Sequence, residues 1–137
     1  MTLAAKVLIV DDHEIVREGI RRLLTRSRPE WEILGEATDG KQAIEAVQKL
    51  QPDVVVLDVT MPGMSGLEAA SHIAKLRPAC RILIFTMHDS DRLSAEVRSV
   101  GAHGYVQKSQ ASRDLVDAME TLLQGGTFFK DSNGNGT

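Results

Sequence analysis

Acidic side chains follow two apolar runs of this chain, and their chemistry suits a metal ion and a phosphoryl group. Asp11 and Asp12 come directly after the first run, and Asp58 ends the third. Carboxylates that lie close together repel one another unless a cation stands between them. An oxygen-rich set of ligands suits a hard cation, Mg²⁺ first. A carboxylate can also attack phosphorus and form an acyl phosphate.

A hydroxyl and an ammonium group follow the next two apolar runs. Thr86 ends the fourth run, and Lys108 comes just after the fifth. The hydroxyl could hydrogen-bond a phosphate oxygen, and the ammonium could neutralise the transferring group. Taken alone, Thr86 could cap a helix, Lys108 could be a solvated charge, and Asp58 could open a turn before Pro62. Their joint occurrence after four strands favours the functional interpretation.

The apolar runs themselves predict the sheet that must position these groups. The runs are Lys6–Val10, Trp31–Ala37, Val54–Leu57, Arg81–Phe85 and Gly104–Val106. Three of them contain stretches that are apolar at every position instead of every second one, which is typical of strands covered on both faces. We therefore expect a parallel sheet with helices on each side.

Stretches between the runs repeat apolar residues at helical spacing. The first helix is predicted from Ile15, Val16, Gly19, Ile20, Leu23 and Leu24; the second from Ala43, Ile44, Val47 and Leu50; the third over about 66–76; the fourth over about 90–100; and the fifth from Leu115, Val116, Met119, Leu122 and Leu123. Asp39 is predicted to cap the second helix, and Gly101 to end the fourth. Five β-α units form an open α/β sheet, in which ligands bind at the carboxyl ends of the strands.

Bulk composition indicates an ordinary globular domain. The chain has 137 residues and a net charge of −3, so the totals give no sign of nucleic-acid binding. The single cysteine, Cys80, excludes an internal disulfide and is expected to be a buried residue. No run approaches the roughly 18 apolar residues that span a bilayer, so we expect a cytoplasmic protein. Residues 1–129 are predicted to form one domain, and 130–137 a disordered tail or the start of a linker.

Four motifs together resemble the receiver domains of two-component response regulators. They are Val10-Asp-Asp-His-Glu-Ile-Val-Arg-Glu-Gly-Ile20, Leu57-Asp-Val-Thr-Met-Pro-Gly-Met-Ser-Gly66, Thr86-Met-His-Asp89 and Gly104-Tyr-Val-Gln-Lys108. Two further stretches, Gly35-Glu-Ala-Thr-Asp-Gly40 and Gly125-Gly-Thr-Phe128, look like the NarL/FixJ-type subgroup. The resemblance covers about residues 5 to 129. It implies a doubly wound (βα)5 flavodoxin-like fold with strand order 2-1-3-4-5.

The resemblance also implies a role for each polar residue at the strand ends. Asp58 matches the phosphoacceptor, Asp12 a direct Mg²⁺ ligand, Asp11 a ligand acting largely through water, and Thr60 the position whose backbone carbonyl completes the metal shell. The phosphate-binding pair is Thr86 and Lys108, and the switch aromatic is Tyr105, which turns inward as Thr86 moves to the phosphoryl group. Such a chain is a phosphoacceptor signalling domain and not an enzyme. Its donor is a sensor histidine kinase, and homodimerisation is an expected consequence of phosphorylation.

Departures from the family pattern affect the loops around the site. Ser109 stands where many receivers have Pro, and Met87 stands where many have a smaller residue, which narrows the expected path for phosphate donors. His88 is expected to be an exposed loop residue. The remaining histidines show no zinc-type spacing.

The chain is too short to hold the helix-turn-helix module that usually follows NarL/FixJ-type receivers, since only 29 residues follow Lys108. We expect transcription control through such a C-terminal domain and no nucleic-acid or membrane binding by these residues themselves. A stand-alone receiver or a phosphate-independent pseudo-receiver is the alternative. A haloacid-dehalogenase-type phosphatase is disfavoured because Asp11-Asp12-His13-Glu14-Ile15 lacks its Asp-x-Asp-x-Thr pattern. A flavodoxin-like cofactor binder is disfavoured because clustered carboxylates would repel a flavin phosphate.

Overall fold

Five strands alternate with five helices in the computed structural model, which describes residues 4–87 and 91–129. The strands are β1 (Lys6–Val10), β2 (Glu32–Ala37), β3 (Val54–Asp58), β4 (Arg81–Thr86) and β5 (Gly104–Gln107). The helices are α1 (Glu14–Ser27), α2 (Gly40–Leu50), α3 (Gly66–Leu76), α4 (Asp91–Ser99) and α5 (Ala111–Leu123), with a 3-10 turn at Lys108–Gln110 before the last. Each apolar run forms a strand whose ends lie within one residue of those predicted.

The sheet is parallel throughout, in the order β2-β1-β3-β4-β5. This confirms the predicted doubly wound fold. Because all strands point the same way, their carboxyl ends meet at one edge of the sheet. The central strand β3 is buried at all five positions, as its continuous apolar sequence predicts.

Two apolar clusters cover the two faces of the sheet. Val55 and Leu57 of β3 face the cluster beneath α2, α3 and α4, whereas Val54 and Val56 face the one beneath α1 and α5. This alternation follows from the two-residue period of a strand. Asp58, the last residue of β3, therefore follows a fully buried stretch of strand. It lies at the edge of the sheet where the ligands of such folds bind.

Local signals at the helix ends behave as the sequence predicts. The Asp39 side chain accepts a hydrogen bond from the Gln42 backbone N–H and caps α2. Gly101 follows α4 with a φ of +88°, a conformation that glycine adopts without strain. Burial raises the pKa of the Cys80 thiol to about 12, so Cys80 is the buried, unreactive residue that the sequence predicts.

Two apolar side chains that the sequence places in the core are exposed, so these two predictions are wrong. Ile15, placed on the apolar face of α1, is 83% exposed, and Leu50, placed on that of α2, is 38% exposed. Ile15 lies in the first turn of α1 and Leu50 is the last residue of α2, whereas Ile20, further along α1, is in the core. The predicted start of α4 near Ser90 and the predicted tail at 130–137 lie outside the described residues. Within the part of the chain that is described, no helix has both the length and the apolar character needed to cross a membrane.

Gly66, the first residue of α3, lies directly against the backbone of Asp58. A Cβ atom added at Gly66 would lie 1.8 Å from the Asp58 carbonyl oxygen. The Gly66 N–H donates a hydrogen bond to the Val59 carbonyl at 2.7 Å, which closes the loop between β3 and α3. The position of the loop after Asp58 therefore depends on the absence of a side chain here.

We expect Gly66→Ala to lower the free energy of unfolding by about 3 kcal/mol, since backbone atoms would have to shift to admit the methyl group. Urea unfolding followed by circular dichroism measures this change. Gly19→Ala is the matched control, because an added Cβ there contacts nothing within 4 Å. In mid-helix that control should gain roughly 0.5–1 kcal/mol. Equal stability of the two variants would contradict the packing described here.

Candidate functional site

The register of the sheet brings four strand ends to one place. Val10 of β1 pairs with Leu57 of β3, so the residues that follow them, Asp11 and Asp58, leave neighbouring strands side by side. Asp58 pairs in turn with Phe85, the residue before Thr86. The predicted convergence of the strand-end residues is therefore present in the structure.

The acidic residues form a compact cluster. Asp11, Asp12, His13 and Asp58 each offer one ligand atom, and these atoms all lie within 4.8 Å of one another. The Asp11 side chain is 1% exposed, and that of Asp58 is also buried. Two buried carboxylates at this spacing repel each other strongly unless a positive group compensates them.

Lys108 supplies that positive group from the end of β5. Its Nζ lies 2.7 Å from Asp11 Oδ2 and 3.2 Å from Asp58 Oδ1. The 3-10 turn after β5 holds the lysine over the acids, and its side chain is only 15% exposed. An ammonium in contact with two carboxylates from two other strands cannot be treated as an ordinary solvated lysine.

The electrostatics of Asp58 are unfavourable to its charged form. Burial raises the pKa of the Asp58 carboxyl, and the negative charge of Asp11 raises it further. The Lys108 ammonium and a hydrogen bond from the Thr60 backbone act in the opposite direction but do not cancel the rise in pKa. The ionised form of Asp58 is therefore destabilised in the fold, and an added cation would stabilise it.

The remaining predicted residues lie around this cluster. The Thr60 backbone N–H donates a hydrogen bond to the Asp58 carboxylate, which places Thr60 beside the acidic cluster. Thr86 is buried at the end of β4. Tyr105 pairs with Ile84, two residues before Thr86, so Tyr105 and Thr86 belong to the same face of the sheet. Met87 is exposed, and His88 lies outside the described residues.

Three residues contact the site without a role predicted from the sequence. His13 Nδ1 lies 3.1 Å from Asp11 Oδ1 and 3.2 Å from Asp12 Oδ1. Arg17 donates from Nη1 to the Asp11 carbonyl at 2.8 Å. The third residue is Gly66, against the Asp58 backbone. Adjacency to the acid pair is a usable signal for His13, whereas the Arg17 contact depends on one helical turn returning over the β1 loop.

His103 has a structural role. Its Nδ1 accepts a hydrogen bond from the Ile82 backbone N–H at 2.9 Å, which requires an unprotonated nitrogen. Burial lowers the pKa of the His103 imidazole, and the nearby Arg81 charge lowers it further. His72 lies on the exposed side of α3. Neither histidine belongs to the acidic cluster.

Comparison with known proteins agrees with this geometry. Residues 7–120 match the response regulator receiver domain family. The response regulator UvrY of Escherichia coli is 40% identical over 123 residues, which are 90% of this chain and 56% of UvrY. The transcriptional regulatory protein YdfI of Bacillus subtilis is 40% identical over 125 residues, 91% of this chain and 58% of YdfI. This chain thus spans a little over half the length of these relatives.

Solved structures show the same fold. A two-component response regulator of the LuxR family from Aurantimonas sp. aligns with a TM-score of 0.88 and 41% identity, over 96% of this chain and 92% of that one. The isolated receiver domain of RcsB from Salmonella enterica, solved with the phosphomimetic BeF₃⁻, aligns with a TM-score of 0.84 and 30% identity over 93% and 94%. With the family match, these likenesses show that this chain is a response-regulator receiver domain of the NarL/FixJ type.

Proposed function

We propose that this receiver accepts a phosphoryl group on Asp58 from a sensor histidine kinase in a Mg²⁺-dependent reaction and then changes conformation to control transcription. The observation that carries the proposal is the contact of the Lys108 ammonium with Asp58 and Asp11 within one acidic cluster. This contact brings together residues that are distant in sequence. They would supply a nucleophilic carboxylate, a cation that neutralises it and the acids that hold a metal.

The transfer needs one bond to form and one to break. An Asp58 carboxylate oxygen attacks the phosphorus in line, and the bond from phosphorus to the donor breaks, its electron pair leaving with the donor. The Lys108 ammonium would then contact the negatively charged phosphoryl oxygens in place of its present contact with the Asp58 carboxylate. Thr86, at the end of the neighbouring strand, is positioned to donate its hydroxyl to one of these oxygens.

The acidic cluster fits a magnesium ion. Asp11, Asp12, Asp58 and the Thr60 carbonyl would hold it, all of them oxygen donors as this ion prefers. Within the described residues, the buried Asp12 Oδ1 accepts no hydrogen bond, and Asp11 Oδ2 is paired with Lys108 by charge without a well-aligned hydrogen bond. Such oxygens are suited to a ligand that supplies positive charge. When bound, the ion neutralises charge that develops on the phosphoryl oxygens.

The output is proposed to follow from Thr86 and Tyr105, which share one face of the sheet. Tyr105 is already 4% exposed, so movement of Thr86 toward the phosphoryl group would let its buried ring shift toward Thr86 and would alter the surface formed by α4, β5 and α5. That surface, or the one formed by α1 and α5, would then mediate homodimerisation. A neighbouring structure contains two RcsB dimers bound to DNA. We propose DNA contact here only through a partner domain.

The same chemistry makes the chain a phosphoacceptor that catalyses only its own phosphorylation and dephosphorylation, because the phosphoryl group stays on Asp58 of the chain itself until hydrolysis releases phosphate and returns the carboxylate. We propose a cytoplasmic location, where a kinase donor and Mg²⁺ are both present. The single cysteine is buried and unpaired, which is compatible with a reducing compartment.

Phosphorylation itself is the most direct prediction. Incubation with acetyl phosphate and Mg²⁺ should increase the intact mass by one phosphoryl group, and chelation of the metal should prevent the gain. Asp58→Asn, which keeps the size and removes the nucleophile, should show no gain while remaining folded by circular dichroism. A folded variant that is still phosphorylated would place the acceptor elsewhere.

Lys108 gives a second prediction. Lys108→Ala should reduce the rate of phosphorylation by acetyl phosphate by at least about 100-fold, since a preorganised charge at the transferring group is lost. Binding of Mn²⁺, followed by its paramagnetic resonance signal, should persist because the ligand oxygens remain. Lys41→Ala is the matched control, since Lys41 is exposed on α2. A normal rate for Lys108→Ala would exclude the lysine as the phosphate contact.

Stability depends on pH through the same carboxyl group. The pKa of Asp58 is raised in the fold, so its stabilising contribution is present at low pH and is lost as the pH rises through the folded pKa. In metal-free buffer at pH 7, Asp58→Asn should therefore have a higher urea midpoint than the wild type. The difference should shrink as the pH falls toward the pKa of Asp58. Mg²⁺ should stabilise the wild type more than the variant; a lower midpoint for Asp58→Asn without metal would contradict this account.

A further inference from the structure

The segment that follows α5 returns to the sheet and extends its β5 edge. We call residues 126–129 the C-terminal strap. Phe128 forms a parallel bridge with Gly104. The Phe128 N–H donates to the His103 carbonyl, and the Tyr105 N–H donates to the Phe128 carbonyl, both at 3.0 Å. The amide of Tyr105 is thus bonded directly to the strap.

The start of the strap is fixed at a second point. The Gly126 N–H donates to the Thr121 carbonyl at 2.9 Å, and Arg81 Nη2 donates to the Gly126 carbonyl at 2.6 Å. At the other end, a Cβ added to Gly104 would lie 2.5 Å from the Phe128 carbonyl oxygen. The glycine in β5 is what allows the strap to approach this closely.

Successive strap residues face opposite sides of the sheet, as in a strand. Phe128 packs with the cluster under α1 and α5, and Phe129 with the cluster that contains Tyr105. Phe129 is 2% exposed. The ring centroid of Phe129 lies 6.2 Å from that of Tyr105. The guanidinium carbon of Arg98, in α4, lies 3.9 Å from the Phe129 ring centroid. The last described residue is therefore held between α4 and the aromatic residue of β5.

We infer that the attachment of the C-terminal strap to β5 depends on the position of the Tyr105 ring. A change in that position would therefore alter how the chain that follows Phe129 is held. While the Tyr105 ring packs on Phe129, the strap is held at the β5 edge. When Tyr105 turns toward Thr86, Phe129 loses that contact and the strap loosens. This inference rests on the proposed function, because the turn of Tyr105 is part of it.

The strap is suited to this role because its attachment to β5 combines two backbone hydrogen bonds with aromatic packing. An edge segment of this length opens more easily than the core strands. The buried Phe129 ring adds packing against Tyr105 at this end, so loss of that contact changes the open population of the strap. Since coupling between two equilibria is reciprocal, loosening the strap must also favour the conformer in which Tyr105 has turned.

Amide hydrogen exchange, measured by NMR on the full chain, tests the inference. Beryllofluoride with Mg²⁺ serves as the phosphoryl mimic. The exchange rates of the Phe128 and Tyr105 amides should rise at least about fivefold, the lower end of typical coupling between sites. Shifted resonances of Thr86 with unchanged exchange rates at both amides would show that the mimic changes the site but not the attachment of the strap. That result would overturn the inference.

Tyr105→Ala separates the strap from the phosphorylation chemistry. Without any mimic, this variant should speed exchange of the Phe128 amide by a similar factor. Ile33→Ala is the control, because Ile33 lies in β2 at the opposite edge of the sheet, and its effect on that amide should be small. If beryllofluoride shifts no resonance at the site, the proposed function fails; the Tyr105→Ala result then decides by itself whether the ring holds the strap. Unchanged exchange in Tyr105→Ala overturns the inference.

Reciprocity supplies an independent measurement. Phe129→Ala should bind beryllofluoride in the presence of Mg²⁺ at least about fivefold more tightly than the wild type. Ile33→Ala should bind it as the wild type does. Circular dichroism confirms that each variant is folded, and equal or weaker binding by folded Phe129→Ala would contradict the coupling.

Discussion

The contact of one ammonium group with two carboxylates from other strands is the interaction on which the site depends. Asp11 and Asp58 are buried side by side, an arrangement that the repulsion between them opposes. Lys108 compensates part of this repulsion from the end of β5. Burial, and after it the negative charge of Asp11, keep the pKa of Asp58 raised even with the lysine in place. The fold thus holds an unfavourable arrangement of negative charge that a bound metal ion would relieve, as expected for a binding site.

The parallel arrangement of the strands makes this contact possible. Parallel order places the ends of β1, β3, β4 and β5 at one edge, although the residues there are separated by long stretches of sequence. Gly66 lets α3 begin against the backbone of Asp58, and Gly104 lets the C-terminal strap lie against β5. In both places the absence of a side chain brings a functional residue into close contact with a neighbouring segment.

Much of this arrangement can be predicted from the amino-acid sequence because it depends on local patterns. Continuous apolar runs mark the buried strands, and Asp39 and Gly101 mark helix ends by chemistry that acts within a few residues. Once the strands are taken as parallel, the acids, Thr86 and Lys108 must lie at the same edge of the sheet. Local patterns and one topological rule therefore predict the open α/β sheet and the convergence of these residues, whereas the strand order is predicted from the family resemblance.

Features that depend on tertiary packing cannot be predicted in this way. Ile15 and Leu50 have the periodicity of core residues, but each lies in the terminal turn of its helix and is exposed. The Arg17 bond to the Asp11 carbonyl and the ring of Phe129 against Tyr105 join residues whose proximity follows only from how helices and edge segments return to the sheet. The residues Gly-Gly-Thr-Phe indicate a subgroup, but they do not indicate that the segment pairs with β5.

The central claim is that Asp58 alone is the nucleophile among the clustered carboxylates. Borohydride reduces an aspartyl phosphate to homoserine, so treatment after phosphorylation with acetyl phosphate and Mg²⁺ marks the acceptor permanently. Tandem mass spectrometry of the digested protein should then locate homoserine at position 58 and leave Asp11 and Asp12 unmodified. Homoserine at position 11 or 12, or its absence from a protein that has gained the phosphoryl mass, would contradict the account.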